Sequence, residues 1–171
     1  MNSAMNPETN HPFRVLFVCM GNICRSPSAE IVFRHLVEEA GFDGRVEIDS
    51  AGTIDHHTGR RPDARMAGAL VARGYDVEGN ARQVTPEDFE SFDLIVPMDR
   101  ENEFDLRESF CPSPELAERI TPFAEFCTRH DIDAVPDPYY GGAEGFERVA
   151  DIVEDGCEGL LKHVADRIGE R

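Results

Sequence analysis

Apolar and polar positions along the chain mark a repeated alternation of strands and helices. Phe13 to Val18 is a short apolar run bounded by polar residues, the mark of a buried strand. Ser26-Pro27 then reads as an N-cap with proline at the first helical position. Ala29, Val32, Phe33, Leu36, Val37 and Ala40 follow on one helical face, and Gly41 stops it. Val46 and Ile48 alternate as a second strand ending near Ser50, and Ala51 to Arg61 is a loop containing glycine and histidine. Pro62-Asp63 opens a second helix, with Met66, Ala69, Leu70 and Ala72 or Arg73 on its inner side and Gly74 at its end. Thr85 to Phe89 is a capped helical turn, Thr85 and Asp88 having the spacing for mutual capping. Leu94-Ile95-Val96 is a third strand, and a polar helix runs from about Glu101 to Phe110 until Cys111-Pro112-Ser113-Pro114 breaks it.

The pattern is weakest over 115–136. Glu115 to Arg119 reads as a helical turn and Ile120 to Phe123 as a fourth strand, which Pro122 would confine to an edge. From Phe146 to Ile168 a long stripe (Val149, Ile152, Val153, Cys157, Leu160, Leu161, Val164) predicts a terminal helix packed on the sheet. Repeats, low-complexity blocks and linkers are absent from the sequence. We therefore expect a floppy N-terminus over residues 1–12 and one α/β domain over 13–171, with a mainly parallel sheet. In such sheets ligands bind beyond the carboxyl ends of the strands.

Charge narrows the function. The 171 residues carry 34 acidic and 17 basic side chains, a net charge of −17, and Lys162 is the sole lysine. That field opposes nucleic acid and anionic membranes as partners. One reading is adaptation to a salt-rich cytoplasm, where screening shortens the repulsion; simple acidity of a soluble protein is the other. Adaptation predicts a melting temperature that climbs from low to molar salt, and a flat series removes it. The polar first dozen residues lack a hydrophobic targeting core, and no apolar run approaches the ~20 residues of a membrane span, so a cytoplasmic location without membrane insertion is expected. Five irregularly spaced cysteines are poor evidence for a disulfide framework.

The chemistry gathers in Val18-Cys19-Met20-Gly21-Asn22-Ile23-Cys24-Arg25-Ser26-Pro27, between the first strand and the first helix. Cys19 ends the strand and is rigidly placed. Gly21 and Asn22 are the residues that best tolerate positive φ, so a loop curled through them can turn backbone N–H groups inward. The positive end of the helix adds to an anion cradle. Arg25 suits two phosphoryl oxygens at once, and the same field favours the thiolate of Cys19. A thiolate aimed at a bound phosphoryl group is placed for in-line attack. The loop lacks the glycine run and lysine of a nucleotide-binding loop. The leaving oxygen needs a proton, and Asp137-Pro138-Tyr139-Tyr140-Gly141-Gly142 can present an aspartate and two rings to a pocket; a surface turn is the competing reading.

Val18 to Pro27 closely resembles the active-site loop of the low-molecular-weight protein tyrosine phosphatases. The resemblance extends from Phe13 to about Arg167 through Ser50-Ala51-Gly52-Thr53, Ala81-Arg82-Gln83, Met98-Asp99 with Asn102, and Asp137-Pro138-Tyr139-Tyr140. It implies a single domain with a four-stranded parallel sheet flanked by helices on both sides and a phosphate-binding loop after the first strand. It implies Cys19 as nucleophile, Arg25 as phosphate clamp and Asp137 as general acid. Met20, Gly21, Asn22, Ile23, Cys24 and Arg25 would hold the phosphate, with Asn22, Ser26 and Ser50 as supports. Ile23, His56, Tyr139 and Tyr140 would meet the substrate ring, and Cys24 would be a redox partner for Cys19.

The implied reaction is hydrolysis of phosphotyrosine in proteins through a cysteinyl-phosphate, with inorganic phosphate as product and no cofactor or metal. A bacterial tyrosine kinase is among the partners the family suggests. Two positions depart from the pattern. His56 stands where many members have an aromatic residue, which makes that wall more polar. Gly79 and then Asn80 stand where many carry a histidine, which alters the support of Asn22. Other readings are phosphoarginine hydrolysis, disfavoured by Ile23 and the paired tyrosines; arsenate reduction, disfavoured by the separation of Cys111 from Cys127; and a phosphate-binding module without turnover. Cys111, Cys127 and Cys157 read as structural, Tyr75, Phe89 and Phe104 as packing residues, Asp99 as a hydrogen-bond acceptor and His57 as part of the pocket-side loop. Asp55-His56-His57 is a poor metal site, because adjacent side chains rarely converge on one ion.

Overall fold

The computed structural model describes residues 11–169; most of the segment expected to be floppy, and the last two residues, lie outside the described residues. Three parallel strands form the sheet, β1 (Phe13–Cys19), β2 (Val46–Gly52) and β3 (Leu94–Pro97), in the order β2-β1-β3. β1 is central, and its two faces account for its unbroken apolar run. Phe13, Val15 and Phe17 enter one core, and Leu16 and Val18 the other. A parallel strand covered on both faces needs apolar residues at every position.

The first core is closed by α1 (Arg25–Glu39), α2 (Ala64–Ala72) and α6 (Ala143–Gly169). Phe17 meets Phe33 of α1 edge-on at 5.8 Å. α2 opens after Pro62-Asp63 as expected, and Asp63 caps it, its carboxylate accepting from the amides of Arg65 and Met66. The second core lies under α3 (Asp88–Ser91), α4 (Arg100–Asp105) with a π-turn at Leu106–Phe110, and α5 (Pro114–Ala117). Helices on both faces of a parallel sheet are the arrangement expected.

Three expectations are corrected. The fourth strand is absent: Ile120 makes one isolated bridge to Ile95. Thr121 donates to the Ile95 carbonyl, but Pro122 has no N–H with which to continue the ladder. The chain turns instead into a 3₁₀ helix, Phe123–Phe126. That helix nests on a glycine notch of α6. A methyl group at Gly156 would enter the Phe123 ring, and one at Gly159 would meet the Phe126 carbonyl. Second, Phe104 is not a packing residue, for it stands 64% exposed on α4. Third, α1 starts at Arg25 with Cys24 in the N-cap position and no side-chain cap. The Ser26 hydroxyl is turned away to Cys19 and Asn22. An uncapped helix start keeps its amides available to an anion.

Candidate active site

β1 ends at Cys19, paired in register with Gly52 of β2. The loop that follows is pinned from the side, Thr53 N–H donating to the Cys19 carbonyl at 3.0 Å and Ile54 N–H to the Met20 carbonyl at 3.1 Å. Asn22 takes φ 57°, and among the described residues it is the single non-glycine at positive φ. Gly21 does not use the positive φ expected of it; it supplies room, since a methyl there would lie 2.9 Å from Cδ2 of His57. Gly52 is needed for the same reason, with the Met20 carbonyl oxygen 2.6 Å from where its Cβ would stand.

The Asn22 side chain holds its own strained backbone. Its Nδ2 donates to Ser26 Oγ at 2.8 Å and Ser50 Oγ at 3.0 Å, while Oδ1 accepts from the Arg82 amide at 3.0 Å. Gly79 lies outside this set, and the Arg82 amide holds the far side of Asn22. Arg82 is anchored in turn by Asp49 and by both oxygens of Asp88, the latter also accepting from the Thr85 amide. The sulfur of Cys19 meets Ser26 Oγ at 3.0 Å and the Asn22 amide at 3.3 Å.

Arg25 is buried beside the sulfur. One guanidinium nitrogen donates to Asp99 Oδ2 at 2.6 Å and to the Val135 carbonyl at 3.1 Å, and the other lies 3.6 Å from Asp137 Oδ2. Burial opposes its charge, but Cys19, the hydrogen bond to Asp99 and Asp137 together raise its pKa above the ordinary value. Asp99 is an acceptor as expected, and it also caps α4 in a reciprocal box with Asn102.

Above these groups opens a pocket of about 200 Å³. Cys19, Met20, Gly21, Ile23, Cys24 and Arg25 form its floor, and His56, Asp137, Tyr139 and Tyr140 its rim. The structure thus brings together every proposed catalytic and ring-contact residue. Ser26, Ser50 and Asn22 lie behind the floor, as supports would. The Asp137 carboxylate is 42% exposed and accepts from the Tyr139 amide at 3.0 Å. Tyr139 is fixed by the Arg65 guanidinium, 5.3 Å over its ring, whereas Tyr140 is 95% exposed and touches Tyr139 edge-on at 5.0 Å. Tyr140 is therefore an open flap of the rim rather than a closed wall.

One pocket residue, Ile54, escaped the sequence reading. It lines the pocket together with His57, which is expected in the pocket-side loop. Their loop follows the carboxyl end of β2, the strand beside Cys19, and that adjacency is the signal that finds Ile54. Burial, with His56 and Arg60 nearby, lowers the His57 pKa. Cys24 is pushed up to about 12 by burial, with Asp63 and Cys19 adding to it. Among the described residues no group of three His, Cys, Asp or Glu side chains is placed to hold a metal ion. Nor is any described helix long and apolar enough to cross a membrane.

Comparison with known proteins points the same way. The model of the family described as low molecular weight phosphotyrosine protein phosphatase matches residues 14–169. The low molecular weight protein-tyrosine-phosphatase of Streptomyces coelicolor is 41% identical over 162 residues, 93% of this chain and 98% of that one. The low molecular weight phosphotyrosine protein phosphatase of Schizosaccharomyces pombe is 41% identical over 154 residues, 89% and 97% of the two chains. The crystal structure of a protein tyrosine phosphatase from Entamoeba histolytica with Hepes in the active site superposes with a TM-score of 0.87 at 42% identity, covering 90% of this chain and 97% of that one. With fold, loop and pocket in agreement over nearly all the described residues, the chain belongs to the low molecular weight phosphotyrosine protein phosphatase family.

Proposed function

We propose that this protein hydrolyses phosphotyrosine in other proteins, with Cys19 as nucleophile, Arg25 as clamp and Asp137 as general acid and then base. One observation carries the reading: the Cys19 sulfur and the Arg25 guanidinium share the floor of a pocket whose rim holds Asp137 beside apolar and aromatic side chains. The loop amides and Arg25 take the three non-bridging phosphoryl oxygens. Cys19 attacks phosphorus, the bond to the tyrosine oxygen breaks, and Asp137 delivers its proton to that oxygen. Water then attacks the phosphocysteine, Asp137 accepts the proton, the sulfur–phosphorus bond breaks and inorganic phosphate leaves. Arg25 and the amides meet the charge on the equatorial oxygens in both steps.

Ile23, Ile54 and Tyr139 offer an apolar slot that fits a phenyl ring better than a guanidinium. Cys24 lines the same pocket as Cys19 and serves as the partner for reversible oxidation of the nucleophile. A cytoplasmic phosphotyrosine protein, a tyrosine kinase among the candidates, is the substrate class.

Asp137→Asn tests the acid. Turnover of a phosphotyrosine peptide is expected to fall about 100-fold, the usual contribution of a positioned general acid. The carboxylate is half exposed, so folding is little affected. Wild-type release from phosphotyrosine beside a phosphoarginine peptide, without added metal, tests the substrate. Release from phosphoarginine alone would retain the nucleophile and overturn the ring-binding role of the slot.

A further inference from the structure

Behind the loop a chain of polar groups runs from the Cys19 sulfur to the protein surface. Cys19 Sγ meets Ser26 Oγ at 3.0 Å, Ser26 Oγ meets Asn22 Nδ2 at 2.8 Å, and the same Nδ2 meets Ser50 Oγ at 3.0 Å. Ser50 Oγ ends the chain at Glu30 Oε1, 2.6 Å away. The other Glu30 oxygen accepts from Arg34 at 2.8 Å, and Arg34 donates also to the Ile48 carbonyl at 3.0 Å. Glu30 is largely buried, its side chain 14% exposed.

The donor and acceptor capacities of these groups give the chain a direction. An ionised carboxylate only accepts, so the single hydroxyl hydrogen of Ser50 goes to Glu30. Ser50 can then only accept from Asn22, which must present its NH₂ edge there. At the far side the Arg82 amide can only donate, which requires the Asn22 oxygen at that position. Both ends therefore impose one orientation on the Asn22 amide. Ser26 Oγ accepts from that amide, and its own hydrogen remains for the sulfur at 3.0 Å or the Ala51 carbonyl at 3.4 Å. The nearer acceptor is Cys19. A donated hydroxyl favours the anionic sulfur.

We infer that Glu30 is a positioning residue that polarises the Ser50–Asn22–Ser26 chain so that Ser26 donates to the Cys19 thiolate. The inference rests on Cys19 being the reactive nucleophile proposed above. Arg34 decides what an isosteric change does. In Glu30→Gln, Arg34 claims the amide oxygen because it has only donors, which turns the NH₂ toward Ser50. The Ser50 hydrogen then loses its acceptor. It is relieved only if Asn22 turns its oxygen toward the serines, which gives up the bond from the Arg82 amide, and Ser26 then donates to Asn22 instead of to sulfur. Removing Arg34 as well frees the glutamine to present its oxygen to Ser50 again.

The test is the rate of Cys19 alkylation by iodoacetamide at pH 6, read by mass spectrometry of the Cys19 peptide and followed beside phosphotyrosine turnover. Glu30→Gln is expected to slow alkylation about three- to tenfold. Arg34→Ala should stay within about twofold of wild type, and the double variant should recover to within about twofold. A purely structural role predicts the opposite sign, with the double variant worse than either single one. Wild-type alkylation in Glu30→Gln, or a double variant slower than Glu30→Gln, overturns the inference. Should the wild type release no phosphate while the alkylation pattern holds, the phosphatase reading falls and the role of Glu30 stands.

Discussion

Cys19→Ser is expected to lower phosphotyrosine turnover by at least about 10⁴-fold while leaving phosphate binding in place, whereas Cys24→Ser stays within about threefold of wild type. The loss expected is that of a covalent nucleophile. A serine hydroxyl at position 19 retains the length and the contacts to Ser26 and the Asn22 amide, but at neutral pH it is not ionised as a thiolate can be. The oxyanion donors are untouched, because they come from Arg25 and the loop backbone. Neither variant should unfold the protein, since each exchanges one sulfur for one oxygen at a residue lining the pocket. Cys24 cannot take over the attack. Its thiol is pushed up to about 12 by burial, reinforced by Asp63 and Cys19, so at pH 7 it carries negligible thiolate. The measurement is single-turnover release of phosphate from a phosphotyrosine peptide under reducing conditions, with vanadate or phosphate binding followed in parallel. Turnover surviving in Cys19→Ser and lost in Cys24→Ser would exchange the two roles.

The parts of this protein that can be read from its sequence are those whose causes are local. β1 announces itself because both faces of a central parallel strand must be apolar. The loop after it is legible because a glycine, an asparagine and an arginine at fixed spacing between strand and helix have few other uses. Even there a local signal misleads. Ser26-Pro27 looks like a cap, but the hydroxyl serves the sulfur of a residue seven positions earlier. The segment 115–136 resists reading because distant elements fix it. Ile120 bridges to Ile95, Phe123 fills a notch at Gly156, and the amides of 128–130 end on a carboxylate of α6. The side-chain holders of the site, Asp99 on Arg25 and Arg65 on Tyr139, lie 74 positions apart in each pair, beyond any periodic pattern.

Asp155→Asn is expected to cost about 3 kcal/mol of stability at pH 7, and the reason lies in that carboxylate of α6. Asp155 sits beside the apolar stripe with none of its surface exposed, where an unpartnered charge would be prohibitive. Five donors reach it instead: the amides of Thr128, Arg129 and His130 at 2.8–2.9 Å, the Thr128 hydroxyl at 3.3 Å and His130 Nδ1 at 2.7 Å. Burial alone would raise its pKa, yet these donors lower it from 3.8 to about 2. A folded pKa below the unfolded one means stability that is present above about pH 4 and is lost as the pH falls through about 2. The shift corresponds to roughly 2 kcal/mol.

Asparagine turns one acceptor oxygen into a donor facing other donors, so it removes that linkage and also strands buried amides, which brings the cost to about 3 kcal/mol. For a chain of this size the melting temperature should fall by roughly 6–12 °C. Urea unfolding of the wild type and Asp155→Asn at pH 7 and again at pH 3 decides it. The gap between them should be largest at pH 7 and narrow at pH 3, and a loss below about 1 kcal/mol at pH 7 would deny the carboxylate its role. The same tether opens the segment that ends at Val135, whose carbonyl holds Arg25, and at Asp137. Loosening it should therefore weaken phosphate binding before the protein unfolds. The five donors make the buried charge of Asp155 tolerable, and the same bonds fix the start of the chain segment that carries Asp137 to the pocket.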